Sequence, residues 1–394
     1  MAVLTSNTIQ QVSHSPGYYI RKRLLQNKPA MLGLGLVLLA FFIAFSGHLL
    51  LPDATPYAND GIVALQKKPA GFTVKILRVP KTEKPEEVNF FEKWLFGEPT
   101  AFESIPIESY VIARDFLIAK PYRSGAGLDS ADIKFPLQKL LLPETVQQNK
   151  SDVRKEIEAN TIETRTYWLG TDKAGRDVLS RLLLGTRISL GIGFLAVLIS
   201  VTLGLLAGAV AGYLGGFADK AIMFVMTVIW SVPGIMLVIA ISLALGSKSV
   251  WVSFVAVGLT MWVDVARVVR GQVLSLKEKT YIEAAKVTGL PEIRIILKHL
   301  LPNLLGPLIV TATANFASAI LMEAGLSFLG LGVQPPAPSW GMMVNEGFQL
   351  IGSRTSLFLV ILPSLCISLL VLAFNLLGNG LRDAYDPKII VTNA

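Results

Sequence analysis

ISLGIGFLAVLISVTLGLLAGAVA, residues 188–211, runs without a single charge. A membrane-crossing helix needs about 20 mainly apolar residues, and this stretch has them. Working outward, comparable runs lie at 31–51 (MLGLGLVLLAFFIAFSGHLLL), 221–245, 250–270, 304–325 and 356–380. The run at 250–270 is the weakest, because its charge-free part ends at Val263 and Asp264, Arg267 and Arg270 follow. Composition agrees: 52% of the 394 residues are AVILMFWYC and only 16% are charged. Mean hydropathy is +0.55. An ordinary soluble enzyme and a disordered chain are both excluded. The fold class read here is an all-α polytopic membrane protein with six transmembrane helices.

The run at 31–51 follows Arg21, Lys22, Arg23 and Lys28, as a signal peptide's would. It is too long for a signal peptide's apolar region and no small-residue cleavage site follows. It reads as an uncleaved anchor. Net charge is +8, yet residues 52–185 hold 19 of the 28 acids and 19 of the 36 bases and are neutral. With the N-terminus inside, 14 of the other 17 bases fall in 1–30, 212–220, 264–303 and 381–394. Lys248 and Arg354 fall in the outer loops, and Arg187 sits at a boundary. The positive-inside rule then places both termini in the cytoplasm. The bases form no block or aromatic-interleaved patch, so nucleic acid is not expected as a partner.

Chemistry-bearing clusters are few. Cys366 stands alone in an apolar run, and His14, His48 and His299 are far apart. No metal site and no cofactor are expected. Gly170-Thr171-Asp172-Lys173-Ala174-Gly175-Arg176-Asp177 has the glycine spacing of a phosphate loop but Arg-Asp where Lys-Ser/Thr is needed. Thr171 or Asp172 is read instead as the cap of an amphipathic outer helix over 166–187, with Asp172/Arg176 and Asp177/Arg181 at ion-pair spacing. No G-x-S-x-G is present. Asp264 and Glu323, both near span ends, are the ionisable residues at membrane depth, and Arg267 stands one turn from Asp264. Their scarcity suggests that energy for any transport enters from elsewhere.

Within the spans, Gly204, Gly208 and Gly212 form a small-xxx-small groove that lets a second backbone approach closely. It fits either packing within the chain or contact with a partner subunit. Pro233-Gly234 falls inside the third run and predicts a kink, either passive or shaping a path.

Residues 277–303, KEKTYIEAAKVTGLPEIRIILKHLLPN, predict two short helices. The first stops near Gly289, Pro291 suits the first turn of the second, and the second ends before Pro302. Ile282, Ala285, Ile293, Ile296, Leu297 and Leu300 supply apolar faces that need a cover, from this chain's own helix ends or from a soluble partner.

Here a resemblance becomes specific. Glu283-Ala284-Ala285, Gly289 and Leu301-Pro302 resemble the EAA loop of ATP-binding cassette importer permeases. His299 departs from the general pattern but is similar to the dipeptide/oligopeptide/nickel subfamily. The stretches from Trp168 to Asp177, Glu323 to Gly332 and Pro338 to Gly341 resemble that subfamily too. The resemblance covers about 10–52 and 165–390. It implies the importer permease fold and a multi-pass subunit of a bacterial inner membrane. It implies as partners a second, similar permease, two cytoplasmic ATPases and an extracytoplasmic substrate-binding protein. The solute would be a short peptide, nickel or a related small solute. The subunit itself would not be an enzyme, since ATP hydrolysis would fall to the ATPases, docked through the EAA helix with Gly289 allowing the turn. A stand-alone transporter or a scaffold whose outer domain carries the function remain the alternatives. Residues lining the substrate path are not legible.

The resemblance does not reach the outer segment at 52–165. Phe72, Phe90, Phe91, Trp94, Phe96, Phe102, Phe116 and Phe135 give it a core's worth of aromatics. FTVKILRVP (72–80) alternates like a strand, 108–122 contains another, and 137–163 is helix-like. A small mixed α/β extracytoplasmic insert is expected, either capping the outer helix ends or docking a partner.

Overall fold

The computed structural model describes residues 16–82, 88–113, 115–123, 131–140, 155, 157–246, 250–350, 352 and 356–386. Lys248, Arg354, most of the helix-like stretch after 140, and the tail beyond Asp386 lie outside them.

In chain order the helices are α1 (Pro16–Gln26), α2 (Lys28–Ser46), α3 (Phe90–Phe96), α4 (Leu137–Leu140), α5 (Val178–Leu214), α6 (Gly216–Trp230), α7 (Gly234–Ala244), α8 (Val250–Lys277), α9 (Thr280–Val287), α10 (Glu292–Ile295), α11 (Leu301–Phe328), α12 (Trp340–Phe348) and α13 (Ser356–Tyr385). The strands are β1 (Phe72–Pro80), β2 (Phe102–Ala113), β3 (Phe116–Pro121), β4 (Ile133–Pro136) and β5 (Ile162–Tyr167). Five helical stretches are long and apolar enough to cross a membrane, and a sixth if α6 and α7 count as one span.

That pair corrects the kink read at Pro233. α6 and α7 meet at 93°, so the third run is two half-helices rather than one bent helix. Proline has no N–H to give and its ring clashes with the carbonyl four residues back. Gly234 then starts a new helix with Pro233 extended at φ −54°, ψ 128°.

α5 has 37 residues and spans about 55 Å at 1.5 Å per residue, well beyond the ~30 Å of a bilayer core. Its cap is Asp177, whose carboxylate accepts from Ser180 N at 2.8 Å. The expected cap at Thr171 or Asp172 and a separate amphipathic helix are therefore replaced by a loop feeding directly into α5. Asp177 serves Ser180 rather than Arg181.

The core is built where α2, α5, α11, α12 and α13 meet. Phe316 stacks on Phe374 with ring centroids 4.0 Å apart, surrounded by Val37, Leu190, Ile320, Trp340 and Leu370. Gly204, Gly208 and Gly212 of α5 face Val265, Val269 and Val273 of α8. The groove is filled by a helix of the same chain. Toward the end of α8, Arg270 donates from Nε and Nη2 to the two carboxylate oxygens of Asp219 on α6, at 2.5 and 2.7 Å. Among the described residues no ion pair joins Asp264 and Arg267. Arg267 lies over the Trp230 ring instead, 4.1 Å from its centroid.

The insert is a five-stranded antiparallel sheet in the order β4-β3-β2-β1-β5. β1 occupies the predicted 72–80, and 108–122 holds the β2–β3 hairpin. The helix-like reading fails toward its end. Ile162–Tyr167 is a strand pairing with β1, Phe72 opposite Tyr167, so the sheet extends past the 165 boundary. β-branched residues alternating with charges suit that edge position. Leu77, Ile107, Leu117, Leu137 and Ile157 fill one face.

Across β1 and β5, Arg78 donates to Glu163 from Nε at 2.8 Å, and Arg165 reaches both Glu163 and Asp60. Burial works against the Glu163 charge, but Arg165 and then Arg78 outweigh it and hold its carboxyl below the usual value of 4.5. A depressed carboxylate contributes stability that is present above the unfolded value and lost as pH falls through the folded one. Amide exchange of β1 and β5 should therefore accelerate as pH drops below about 4.5, once corrected for intrinsic rates. A Glu163→Gln variant should show a flatter pH dependence. Equal profiles would refute the assignment.

Candidate functional site

The segment from Lys277 to Asn303 is built as a helical hairpin between α8 and α11. α9 ends in a Schellman motif: Leu290 N donates to Ala285 O at 3.2 Å and Gly289 N to Lys286 O at 3.0 Å. Gly289 takes φ +74°, as the motif requires, with open space around its Cα. Pro291 precedes α10 as its N-terminal flanking residue.

The second helix does not end before Pro302, contrary to expectation. α10 passes through a π-helical turn, Ile296–Leu300, directly into α11, giving a continuous helix Glu292–Phe328. The wider π turn changes the backbone pairing ahead of Pro302, and the proline then occupies the start of a regular helix, where its missing N–H costs nothing.

The hairpin splits its apolar residues between two faces. Ile282, Ala285, Ile295 and Leu300 are buried against Tyr213, Val269, Val273 and Leu304. Lys277 Nζ donates to Tyr213 O at 2.7 Å and ties the hairpin to the end of α5. This chain's own helix ends therefore cover that face. Ala285, expected at a partner contact, packs inward. Glu283, Ala284 and Gly289 lie outside on one exposed side, and Leu301 and Pro302 lie on the continuous helix. Val287 at 87% exposure and Ile293 at 72%, with Leu297, remain uncovered. Val287 was missed in the sequence. Its signal was an apolar residue off the buried stripe, at the last position of the helix.

At the other end of α5 the Gly170–Asp177 loop closes on itself, with Thr171 bridging to Asp177. Its Asp172 carboxylate accepts from Arg176 Nε at 2.6 Å, the predicted pair, though in a loop rather than a helix. Arg176 Nη2 then reaches Glu346 on α12 at 2.9 Å. Arg181 has its side chain 1% exposed and lies 3.5 Å from Asp172 and 3.7 Å from Glu346, with no hydrogen bond to any of its guanidinium nitrogens among the described residues. Burial disfavours the Arg176 charge, but Asp172 and Glu346 more than compensate and hold it above its ordinary value. The same loop carries the insert. Lys67 N donates to Asp172 O at 3.1 Å and Lys68 N to Thr171 Oγ1 at 2.9 Å. Glu346 was not foreseen, since it lies 170 residues from Arg176. Glu323 is fully buried and accepts from Ser327 Oγ at 2.6 Å. Among the described residues no cluster suits a metal ion.

Residues 182–391 match the family described as binding-protein-dependent transport system inner membrane component. Residues 15–69 match the N-terminal transmembrane domain of oligopeptide transport permease C. The glutathione transport system permease protein GsiD of Pectobacterium atrosepticum is 45% identical over 225 residues, 57% of this chain and 73% of that one. The dipeptide transport system permease protein DppC of Bacillus subtilis is 44% identical over 242 residues, 61% of this chain and 74% of that one. The oligopeptide transport system permease protein OppC of Haemophilus influenzae is 43% identical over 222 residues, 56% of this chain and 70% of that one. A solved structure of the MetNI methionine ABC transporter in inward-facing conformations covers 53% of this chain and 98% of that one, at 19% identity and a TM-score of 0.41, too slight to carry an argument.

Proposed function

We propose, from the premise that this chain belongs to the family of binding-protein-dependent transport system inner membrane components, that its solute is a short peptide or a peptide-like thiol such as glutathione. It is a permease subunit of an ATP-binding cassette importer, a multi-pass membrane protein. The partners proposed are a second similar permease, two ATPases on the hairpin side, and a substrate-binding protein on the sheet side. Both chain termini are proposed to lie with the hairpin in the cytoplasm.

The observation that carries the reading is the uncovered half of the hairpin. Its inner face is already satisfied by this chain, so Glu283, Ala284, Val287, Ile293 and Leu297 have no packing role to explain their side chains. An apolar patch rimmed by charge on a soluble-facing hairpin suits a protein partner. No ion pair among the described residues engages Glu283, which leaves it available to a base on an ATPase. Gly289 supports this by closing α9 in a conformation that a side chain disfavours by roughly 1–2 kcal/mol.

The α6–α7 break supports a second part of the reading. Lipid cannot satisfy first-turn N–H groups, so a broken helix at membrane depth must face protein or water. We assign this bend to the translocation path or to the second permease.

Glu283→Lys and Gly289→Val are expected to leave membrane levels unchanged while solute-stimulated ATP hydrolysis of the assembled transporter falls several-fold. Co-purification of ATPases with the tagged wild-type chain should weaken in both variants. Undiminished stimulation in both would exclude the hairpin as the coupling element.

A further inference from the structure

α3 reads FFEKWLF and is defined at both ends. Asn89 N donates to Glu92 Oε2 at 3.1 Å in a capping box, and Gly97 N closes on Lys93 O at 3.1 Å. A helix of this composition in a soluble domain turns its rings inward. Here none of its residues is buried, and Phe90, Phe91 and Phe96 are 64%, 69% and 66% exposed.

Trp94 explains where those rings point. Its Nε1 donates to Phe45 O, in the last turn of α2, at 2.6 Å, and its ring meets Phe45 edge-on at 4.9 Å. Arg187 of α5 donates to Leu95 O at 2.8 Å and lies over the Trp94 ring. Gly47 comes so close to Trp94 O that a Cβ there would sit 2.7 Å away. α3 is thus pinned where the first apolar span ends. The outward face of that span carries Leu38, Phe41, Phe42, Phe45 and Leu49, all exposed within this chain. Phe90 and Phe91, in edge-to-face contact at 5.9 Å, flank Trp94 on the helix and stand exposed beside the end of that span, whereas Phe96 lies on the opposite side of the helix from Trp94. Lys93 pairs with Glu98, and Arg187 against α3 offsets the remaining acid, Glu92, so the polar edge is nearly neutral.

We propose that α3 is an interfacial helix, with Phe90 and Phe91 seated at the headgroup–acyl boundary of the leaflet on the sheet side. Aromatic residues favour that boundary, and a short helix with an apolar face and a polar edge lies in its plane. A partner protein is disfavoured by the continuity of the patch with a lipid-facing span. The near-neutral polar edge implies no preference for anionic lipid. The insert is then held against the bilayer, whatever solute the subunit carries.

The test uses the full chain with Cys366→Ala and Phe91→Cys, labelled with a fluorophore at the new thiol and reconstituted in phosphatidylcholine vesicles. Position 91 is exposed, so the label should not disturb folding. A nitroxide at carbon 5 of the lipid acyl chain should quench most of the emission, a nitroxide at carbon 12 less, and aqueous iodide little. Replacing part of the lipid by phosphatidylglycerol should change nothing. Should Cys366→Ala fail to accumulate, the difference between Phe91→Cys and the parent chain carries the same comparison. Quenching by iodide but not by lipid would overturn the proposal by placing α3 in water. Protection from both would overturn it by placing α3 under protein, and stronger quenching from carbon 12 would overturn the interfacial depth.

Discussion

Replacing Glu346 by alanine should destabilise the chain by about 3–5 kcal/mol, because it leaves buried arginines without their shared acid. Two acids, Asp172 and Glu346, face two buried arginines, Arg176 and Arg181, and Arg176 takes the short contacts to both acids. Removing Glu346 leaves two positive charges sharing Asp172. The double variant Arg176→Met/Glu346→Leu removes one of each sign and leaves Asp172 opposite Arg181, which already lies 3.5 Å away. Its thermal stability in detergent should recover most of the loss. This recovery separates a charge-balance role from simple packing. A double variant whose loss equals the sum of the two singles would contradict it.

Gly208→Val is expected to be comparably damaging for a steric reason. A Cβ at Gly208 would lie 2.5 Å from Ala266 O and 2.8 Å from Val269 Cβ on α8. A backbone oxygen cannot rotate away, so the helices must separate, costing about 1–3 kcal/mol or more. Gly212→Ala should be milder, since its nearest atoms stand at 2.9 and 3.0 Å. Gly191→Ala in the same helix supplies the control, with nothing within 4 Å of the added atom. Thermal unfolding of the four proteins should rank them in that order. Gly208→Val melting with Gly191→Ala would remove the groove from the account of how α5 and α8 pack.

What was legible in the sequence follows from the range of the forces involved. The apolar runs were legible because membrane burial acts on each segment separately, and 31–51 and 188–211 needed no partner to be read. Gly289 was legible because its αL conformation is local. The α6–α7 break was only half legible: Pro233 announces a disruption, but the 93° angle depends on what α6 and α7 pack against. The π turn before Pro302 left no local sign, so the second helix was ended too early. The cap of α5 was placed at Thr171 or Asp172 and not at Asp177, because all three residue types can cap and only tertiary contacts choose among them. Asp172 was drawn into the loop by Arg176 and by Lys67 of the insert. Glu346 could not be found at all, since nothing in one chain pairs residues so far apart. What covers Ala285 was left open between this chain and a partner, because spacing alone does not say which face of a short helix is already covered.

The unbroken helix from Glu292 to Phe328 has a mechanical consequence. At 1.5 Å per residue its 37 residues make a strut of about 55 Å. Had the chain broken at Pro302, a push on the hairpin would have been absorbed in a hinge. With the π turn in place the helix is continuous there, and Pro307, inside it, is the remaining point at which it could bend; short of that, the strut tilts about whatever fulcrum its middle packs against. A tilt of about 5° at the hairpin then appears at Glu323 and Ser327 as a stroke of about 2 Å in the opposite direction. Stiffness in this one element would set how faithfully a movement of the hairpin arrives at Glu323 and Ser327, if the hairpin is the coupling element proposed above.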